Sequence, residues 1–467
     1  MTTLDYYSAD VFDIDGNMIA EDQRAETGEQ HRGQARMAYR LARVHANELM
    51  FVHSIGWHAW DGRRWVEDTF GAAKQAVLDV LRSALADSLH DADLRQDVRR
   101  CESSTAVNGV LDIAASLKTF AFTIDDLDKD PTLLNCQNGT LNLQTMALLP
   151  HNPADRITKV CNAAYRPGAT SELWDGFLMR VLPDPDVRNF LGRYVGQALY
   201  GRTLEHRLAI LTGTGRNGKG TCYMALAHVL GDYAMAGEPD LLLHRDGAHP
   251  TGQMDLRGKR WVVVSESDEG RKLAEATVKR LTGGDKIKAR RMRQDFVEFD
   301  PSHTVCMITN HLPRVSGDDP ALWARLRVVP FDVVIPEAEQ IKEFDRRLAD
   351  DADAILAWAL AGWQSYNDLG GLADPEAVRS ATSAYKAGSD SVGAFIETAC
   401  VVNPNLRVKV SEVAEAYDAW CRSEGIEAIG KREFGEALDR RGYESVKGGK
   451  GIRYRVGIGL VTTDYEG

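Results

Sequence analysis

The chain has 467 residues, of which 44% are apolar and 27% charged, and a formal net charge of −12. Such a composition supplies cores for about three globular domains, and no run of eighteen apolar residues is present, which excludes a membrane-spanning helix. Seven cysteines stand singly with no CxxC pair, which argues against a disulfide framework and fits reduced thiols in a cytoplasm.

Residues 1–34 are polar, acidic and aperiodic, and are expected to be disordered. The opening MTTLDYYSADVFDIDGN lacks a basic start followed by an apolar run, so no secretory signal is expected. From residue 35, GQARMAYRLARVHANELMFV reads as a helix and WHAWDGRRWVED as a hairpin turning at Asp61-Gly62. AAKQAVLDVLRSALADSL is strongly helical, and NGTLNLQTMALLPHNP gives short strands and a turn. IDDLDKDP (124–131) starts like a calcium loop. Pro131 replaces its turn glycine, however, and Gln137 stands where the bidentate glutamate belongs, so it reads as a solvated turn. A first domain is expected over 35–170.

Between 171 and 340 strand-like runs alternate with amphipathic helices: LAIL (208–211), WVVV (261–264), TVCMIT (304–309) and LRVVPF (326–331). This predicts an α/β core, a sheet covered by helices. A helical extension (341–388) follows, with Asp374-Pro375 as cap and first turn. The last unit, 389–467, reads as three helices (SVGAFIETAC, SEVAEAYDAWCRSEG, KREFGEALDRRG) and a strand–turn–strand, YESVKGGKGIRYRV. That is the order of a winged helix, whose third helix could enter a major groove; an interaction module that touches no DNA is the plainer alternative.

Net charge sets only the far field, and binding follows where positive charge gathers. KIKARRMR (286–293) holds five basic residues in eight positions, and Lys447, Lys450, Arg453 and Arg455 form a second group. An acidic body with two such patches is compatible with DNA.

RLAILTGTGRNGKGTCYMALAHVL (207–230) carries the chemistry. A strand, a glycine-rich turn, a lysine and a helix are the context of a phosphate-binding loop. Gly213, Gly215 and Gly218 allow backbone N–H groups to converge, with Thr214, Arg216 and Asn217 between them, and Lys219 supplies a point charge for the terminal phosphates of ATP. The helix opening at Gly220 adds its positive end. Gly220 stands where a hydroxyl usually follows the lysine, and Thr221 supplies that hydroxyl one place later. Thr221 either touches Mg2+ or holds one of its waters; the sequence does not choose.

Phosphoryl transfer to water needs an acid near the metal. Glu266, at the end of RWVVVSE, is the candidate for metal and water, since a carboxylate leaving a parallel strand's C-terminal end faces the ligand crevice. The bland reading is an ordinary strand-end acid. Asn310, ending VCMITN, is a polar amide able to orient water. Arg325 and Arg327, in DDPALWARLRVVPF, are candidates for an arginine supplied in trans, or for a surface salt bridge.

The ordered set GTGRNGKGT, VVVSE, VKRLTGGDKIKARRMRQDFVEF, MITNHLPR and DPALWARLRVVPF resembles the superfamily 3 helicase domain of phage and plasmid primase–helicases, the poxvirus-type branch. The preceding NGTLNLQTMALLPHNPADRITKV resembles the flanking domain found with these helicases. The resemblance implies an AAA+-like P-loop ATPase core, a mixed α/β N-terminal flanking domain and a C-terminal winged helix, working on DNA in the cytoplasm of a bacterial host cell as a hexameric ring. It implies Lys219 as phosphate lysine, Glu266 as second-motif acid, Asn310 as sensor and Arg325 as finger. It also implies Lys286, Lys288, Arg290 and Arg291 as the grip of a pore hairpin. Two departures stand out: Trp323 is followed by Ala324 rather than by an arginine pair, and Ser265 stands where a second acid is common. Only some thirty polar residues precede the flanking domain, so a separate primase or polymerase is expected to make primers. A small-molecule kinase, suggested by the GKGT spelling, and a DNA-binding initiator using ATP only as a switch are the competing readings.

Overall fold

The computed structural model describes residues 30–244, 250–266, 268, 270–290, 296–315, 319–425 and 428–461. The expected N-terminal tail up to residue 29 lies outside them, as does Arg291. The fold is mixed α/β with several sheets, and no helix of the described residues is long and apolar enough to cross a membrane. All seven cysteines are buried. The chain divides into two compact units, residues 1–161 with 290–299, and residues 162–289 with 300–467.

The first unit runs α1 (Gly33–His45), β1 (Leu49–Val52), β2 (Gly56–Trp60), β3 (Trp65–Glu67), α2 (Ala72–Asp87), α3 (Ala92–Cys101), α4 (Ser104–Ala114), β4 (Ala121–Phe122), β5 (Leu133–Cys136), β6 (Gly139–Asn142) and β7 (Ala147–Leu149). One sheet has the order β3-β2-β1-β4 and a second is the meander β5-β6-β7. The run read as a single helix breaks in two: it ends at His45 and LMFV becomes β1. There Leu49, Met50 and Val52 are buried and Phe51 half-buried, against a sheet neighbour on each side, and these tertiary contacts override helical periodicity. The Asp61-Gly62 hairpin forms as read, with Trp60 opposite Trp65. Met37, Leu41, Val77, Leu81, Val98 and Val110 fuse the four helices into one apolar cluster. Side-chain oxygens close the helix starts: Asp91 accepts from Leu94 N–H, and Ser103 from Ala106 N–H.

The second unit opens with α5 (Glu172–Val181) and α6 (Pro185–Ala198), then β8 (Leu208–Thr212), α7 (Lys219–Leu230), β9 (Ala234–Gly237), β10 (Trp261–Glu266), α8 (Glu275–Leu281) and β11 (Ile287–Ala289). The short strand β12 (Val297–Phe299) is counted with the first unit. There follow β13 (Thr304–Thr309), α9 (Pro320–Trp323), β14 (Leu326–Pro330), α10 (Phe344–Asp350), α11 (Ala352–Leu369), α12 (Glu376–Ser389), α13 (Ser391–Ala399), β15 (Cys400–Lys409), α14 (Val410–Ser423), α15 (Lys431–Arg440), β16 (Ser445–Lys447) and β17 (Arg453–Leu460). The four apolar runs become four adjacent strands of a five-stranded sheet, β14-β8-β13-β10-β9, parallel throughout, with β14 and β9 at its edges. Burial explains their composition: β13 is covered along its whole length, and strands covered on both faces are apolar without alternation.

Tyr194 of α6 ties that helix to the sheet, donating to the Val305 carbonyl at 2.6 Å and accepting from Ala209 N–H at 3.0 Å. On its other side α6 meets α11 backbone to backbone. A Cβ at Gly362 would run into the Gly192 carbonyl, and one at Gly196 into the Trp363 amide. The C-terminal elements α13 to β17 close around Phe395, Tyr417, Phe434 and Leu438, with the antiparallel order β15-β17-β16. The strand β15 is not expected from the sequence. Pro404, an irregular register between Val402 and Arg407, and exposure along most of its length hide its periodicity.

Two outcomes follow from this packing. Gly362→Ala is expected to cost about 3 kcal/mol in urea denaturation, the upper end for overpacking, because backbone rather than a side chain obstructs it. His303 is buried, its Nε2 donating to the Leu281 carbonyl at 3.2 Å and its Nδ1 without a partner among the described residues, so burial pushes its pKa from 6.5 down to about 4. The unfolded chain therefore binds the extra proton first, and stability present above pH ~6.5 is lost as pH falls towards 4, by about 3 kcal/mol. A His303→Gln variant should show a smaller loss over the same interval, and equal losses would remove His303 as the cause.

Candidate nucleotide-binding site

The sheet register sets the site. Thr212, Thr309 and Glu266 lie in one row across β8, β13 and β10, all at the strands' C-terminal ends. Neighbouring strands stand about 4.8 Å apart, so Glu266 is roughly 10 Å from the start of the glycine-rich loop. After Thr212 the chain turns through Gly213, Gly215 and Gly218, all at positive φ (158°, 97° and 82°), with Arg216 also at 50°. Two of these glycines are fixed by crowding as well as by dihedral. A Cβ at Gly213 would meet the Phe331 carbonyl and the Asn217 amide, and one at Gly218 would meet Val181 and Phe177 of α5. Thr214 and Arg216 are exposed at the tip, where Arg216 lies 3.7 Å from Glu337.

Lys219 opens α7 and is 4% exposed. Its ammonium donates to the Gly213 carbonyl (2.8 Å), Asn217 Oδ1 (3.0 Å) and Asn310 Oδ1 (3.3 Å). Burial pushes its pKa below the ordinary lysine value. Asn217, also buried, spends its amide N–H on the Phe331 carbonyl at 2.8 Å, so it links the lysine to the residue just past β14. Gly220 borders open space, and a Cβ added there would have no neighbour within 4 Å. Thr221 is half-buried in the first turn of α7, whose leading N–H groups have no intrahelical partner. Glu266 is half-buried and accepts from Asp268 N–H at 2.8 Å, while Ser265 is exposed.

Lys219 and Asn310 are thus brought into contact, with Glu266 at the same end of the sheet two strands from β8. Arg325 is not. It precedes β14, whose Leu326 pairs with Leu208, so it sits at the opposite end of the sheet, about 15 Å away by strand rise. There its Nη1 donates to the Ala321 carbonyl at 2.7 Å and its Nε is buried without an acceptor among the described residues. Arg327 is spoken for, its Nε held at 2.5 Å by Asp374 on the turn before α12. Lys286, Lys288 and Arg290 alternate as exposed side chains with buried Ile287 and Ala289, and Arg290 stacks 4.7 Å over the Phe296 ring. In the second basic group Lys447 and Arg453 are exposed, but Arg455 is buried and ion-paired with Asp439. The Asn217 strut and the Asp374 partner escape a reading of the sequence, because each depends on a contact more than forty residues away.

Three family models match the chain: D5 N terminal like over residues 38–183, a family of unknown function (DUF5906) over 211–325, and Poxvirus D5 protein-like over 387–455. A protein named as a helicase in Acanthamoeba polyphaga mimivirus is 23% identical over 414 residues, 79% of this chain and 43% of the relative. One named as a primase in African swine fever virus is 25% identical over 325 residues, 64% of this chain and 34% of the relative. The apo structure of the NrS-1 C terminal region aligns over 91% of this chain and all of that one, at 11% identity and a TM-score of 0.49. These matches make the chain similar to the D5-type primase–helicases at both its N-terminal and its C-terminal regions. The chain spans less than half the length of these two relatives.

Asn217 and Gly220 predict opposite outcomes in chemical denaturation. Asn217→Ala leaves the Phe331 carbonyl unpaired and removes one acceptor from a buried ammonium, and should cost about 1–3 kcal/mol. Gly220→Ala adds a methyl into open space on a helix and should gain up to about 1 kcal/mol.

Proposed function

We propose that the chain is the ATP-hydrolysing motor of a DNA helicase, of viral, phage or plasmid type, whose active sites form between neighbouring copies in a ring, with a hexamer as the expected closure. The observation that carries this reading is the split site. A buried lysine, an amide and a carboxylate share one end of the sheet, while the candidate arginine stands at the other end with a guanidinium nitrogen that has no acceptor among the described residues. Within one copy that arginine cannot reach its own loop. In a head-to-tail ring the same end faces the next copy's nucleotide, as an arginine supplied in trans requires. Arg327, held by Asp374, is the weaker candidate for that role.

In this reading the loop 213–218 is a P-loop, and residues 213–221 bind ATP. The N–H groups of the loop and of the first turn of α7 point at the phosphates, and Lys219 leaves its three oxygen partners to meet the terminal phosphate. Glu266 and Thr221 are hard oxygen donors of the kind that suit Mg2+, and the ion, when bound, neutralises developing charge on the phosphates. Glu266 orients the attacking water, and Asn310, freed from Lys219, hydrogen-bonds beside it. The exposed row Lys286, Lys288 and Arg290, with Arg291 following in sequence, grips the DNA backbone at the ring's centre. The elements α13 to β17 act as a winged helix.

Unwinding of a forked DNA with ATP, but not with a non-hydrolysable analogue, is the deciding assay. Lys219→Ala should abolish both hydrolysis and unwinding. Arg325→Ala should bind ATP normally while turnover falls roughly a thousandfold, and mixing it into wild-type protein should depress wild-type activity more than dilution does. An arginine variant that turns over normally, or mixtures that only dilute, would remove the trans assignment.

A further inference from the structure

Charge is segregated in the C-terminal elements. The three helices α13, α14 and α15 carry seven carboxylates against four basic residues. The strand β15 and residues 445–461 carry six Lys and Arg and no Asp or Glu. This separation follows the packing: the helices cover one face of the β15-β17-β16 sheet, so the sheet's other face and the turn between β16 and β17 form a basic surface on an acidic chain.

Strand register says which side chains compose it. Val408 and Arg455 pair across β15 and β17 and are both buried, so they face the helices. Arg407, Lys409, Tyr454 and Val446 alternate with them onto the outer face. Arg407 lies 5.0 Å over the Tyr454 ring, an arrangement that holds the guanidinium in place without neutralising it. Lys409 shares its charge with Glu412 at 2.5 Å. At the turn, Lys447 and Arg453 pair directly across β16 and β17 and are both exposed; by alternation they lie on the Arg455 side of the sheet, at its turn end, and not on the face that carries Arg407. Among the described residues, Arg407, Lys447 and Arg453 therefore supply positive charge that no ion pair offsets.

The third helix, α15, offers no comparable surface. Its charged residues are Lys431, Arg432, Glu433, Glu436, Asp439 and Arg440, which sum to zero. Arg432 is tied to Glu436 at 3.0 Å, and Asp439 to the buried Arg455. A helix entering a major groove brings these carboxylates against phosphate.

Resting on the reading of the chain as a DNA motor, we infer that the C-terminal elements bind double-stranded DNA through the β16–β17 hairpin, with Lys447 and Arg453 at its turn and Arg407 on its outer side each meeting the phosphate backbone, without reading sequence and without α15 in the groove. Duplex rather than single strand follows from the aromatic content. Single-strand platforms stack bases on open rings. The ring of Tyr454 is instead covered by Arg407 and packed against Gly448, where even a Cβ would meet it.

The test measures the full chain's affinity for a blunt duplex by fluorescence anisotropy across a salt series. The triple variant Arg407→Ala, Lys447→Ala, Arg453→Ala should bind more weakly, with a plot of log affinity against log salt shallower by about 2.7 for three lost phosphate contacts. The variant Lys431→Ala, Arg432→Ala, Arg440→Ala should keep the wild-type slope, and shuffling the duplex sequence should leave affinity unchanged. The single charge reversal Lys447→Glu gives the same direction of effect should the triple variant fold poorly. A wild-type slope from both sheet variants, or a loss confined to the α15 variant, overturns the inference. So does an equal loss towards a single-stranded oligonucleotide, which removes the duplex assignment. Failure of the motor reading is a separate result: wild-type protein that neither hydrolyses ATP in response to DNA nor opens a fork.

Discussion

A buried ammonium has to be answered by oxygen, and much of the second unit is arranged to provide that answer. Lys219 lies among the Gly213 carbonyl, the Asn217 amide and the Asn310 amide, and none of the three is a carboxylate. Neutral acceptors hold the charge in position without cancelling it. A carboxylate in the same place would form a tight ion pair that a phosphate would have to break. The strand ends, the glycine turn and the packing of α5 against Gly218 all serve to bring these neutral oxygens together.

The division of roles across the sheet follows from its being parallel. Every strand leaves at the same end, so the loop after β8, the acid ending β10 and the amide after β13 gather there with no special device. The residue before β14 is carried to the far end for the same reason. Charge in the C-terminal elements obeys a comparable geometry, because alternate residues of a strand face opposite ways. Burying Arg455 and Val408 on the inner face leaves Arg407 and Tyr454 on the outer one.

The core strands are legible in the sequence because they are short, apolar and bounded by turns, and the lysine loop is legible because its glycines occur at places where the backbone turns to positive φ. The conversion of LMFV into β1 is not legible, since an amphipathic helix and a following buried strand merge when only local periodicity is read. Nor is β15, whose proline and exposed valines resemble a loop until β17 is seen beside it. Choosing between Arg325 and Arg327 is beyond sequence for another reason. They are two residues apart at the start of a strand, and only the presence of Asp374, contributed by a segment some fifty residues later, separates them.

The five-residue strand β14 has Arg325 immediately before it, and immediately after it Phe331, whose carbonyl receives the Asn217 amide that also holds Lys219. Within the ring reading, one stiff rod then joins the lysine of a copy's own pocket to the arginine it lends next door. In that reading, a fuel molecule that draws Lys219 to itself would slacken the Asn217 strut, and the strand would carry the displacement to its far end. Adjacent pockets in such a ring would be geared to one another through this strand.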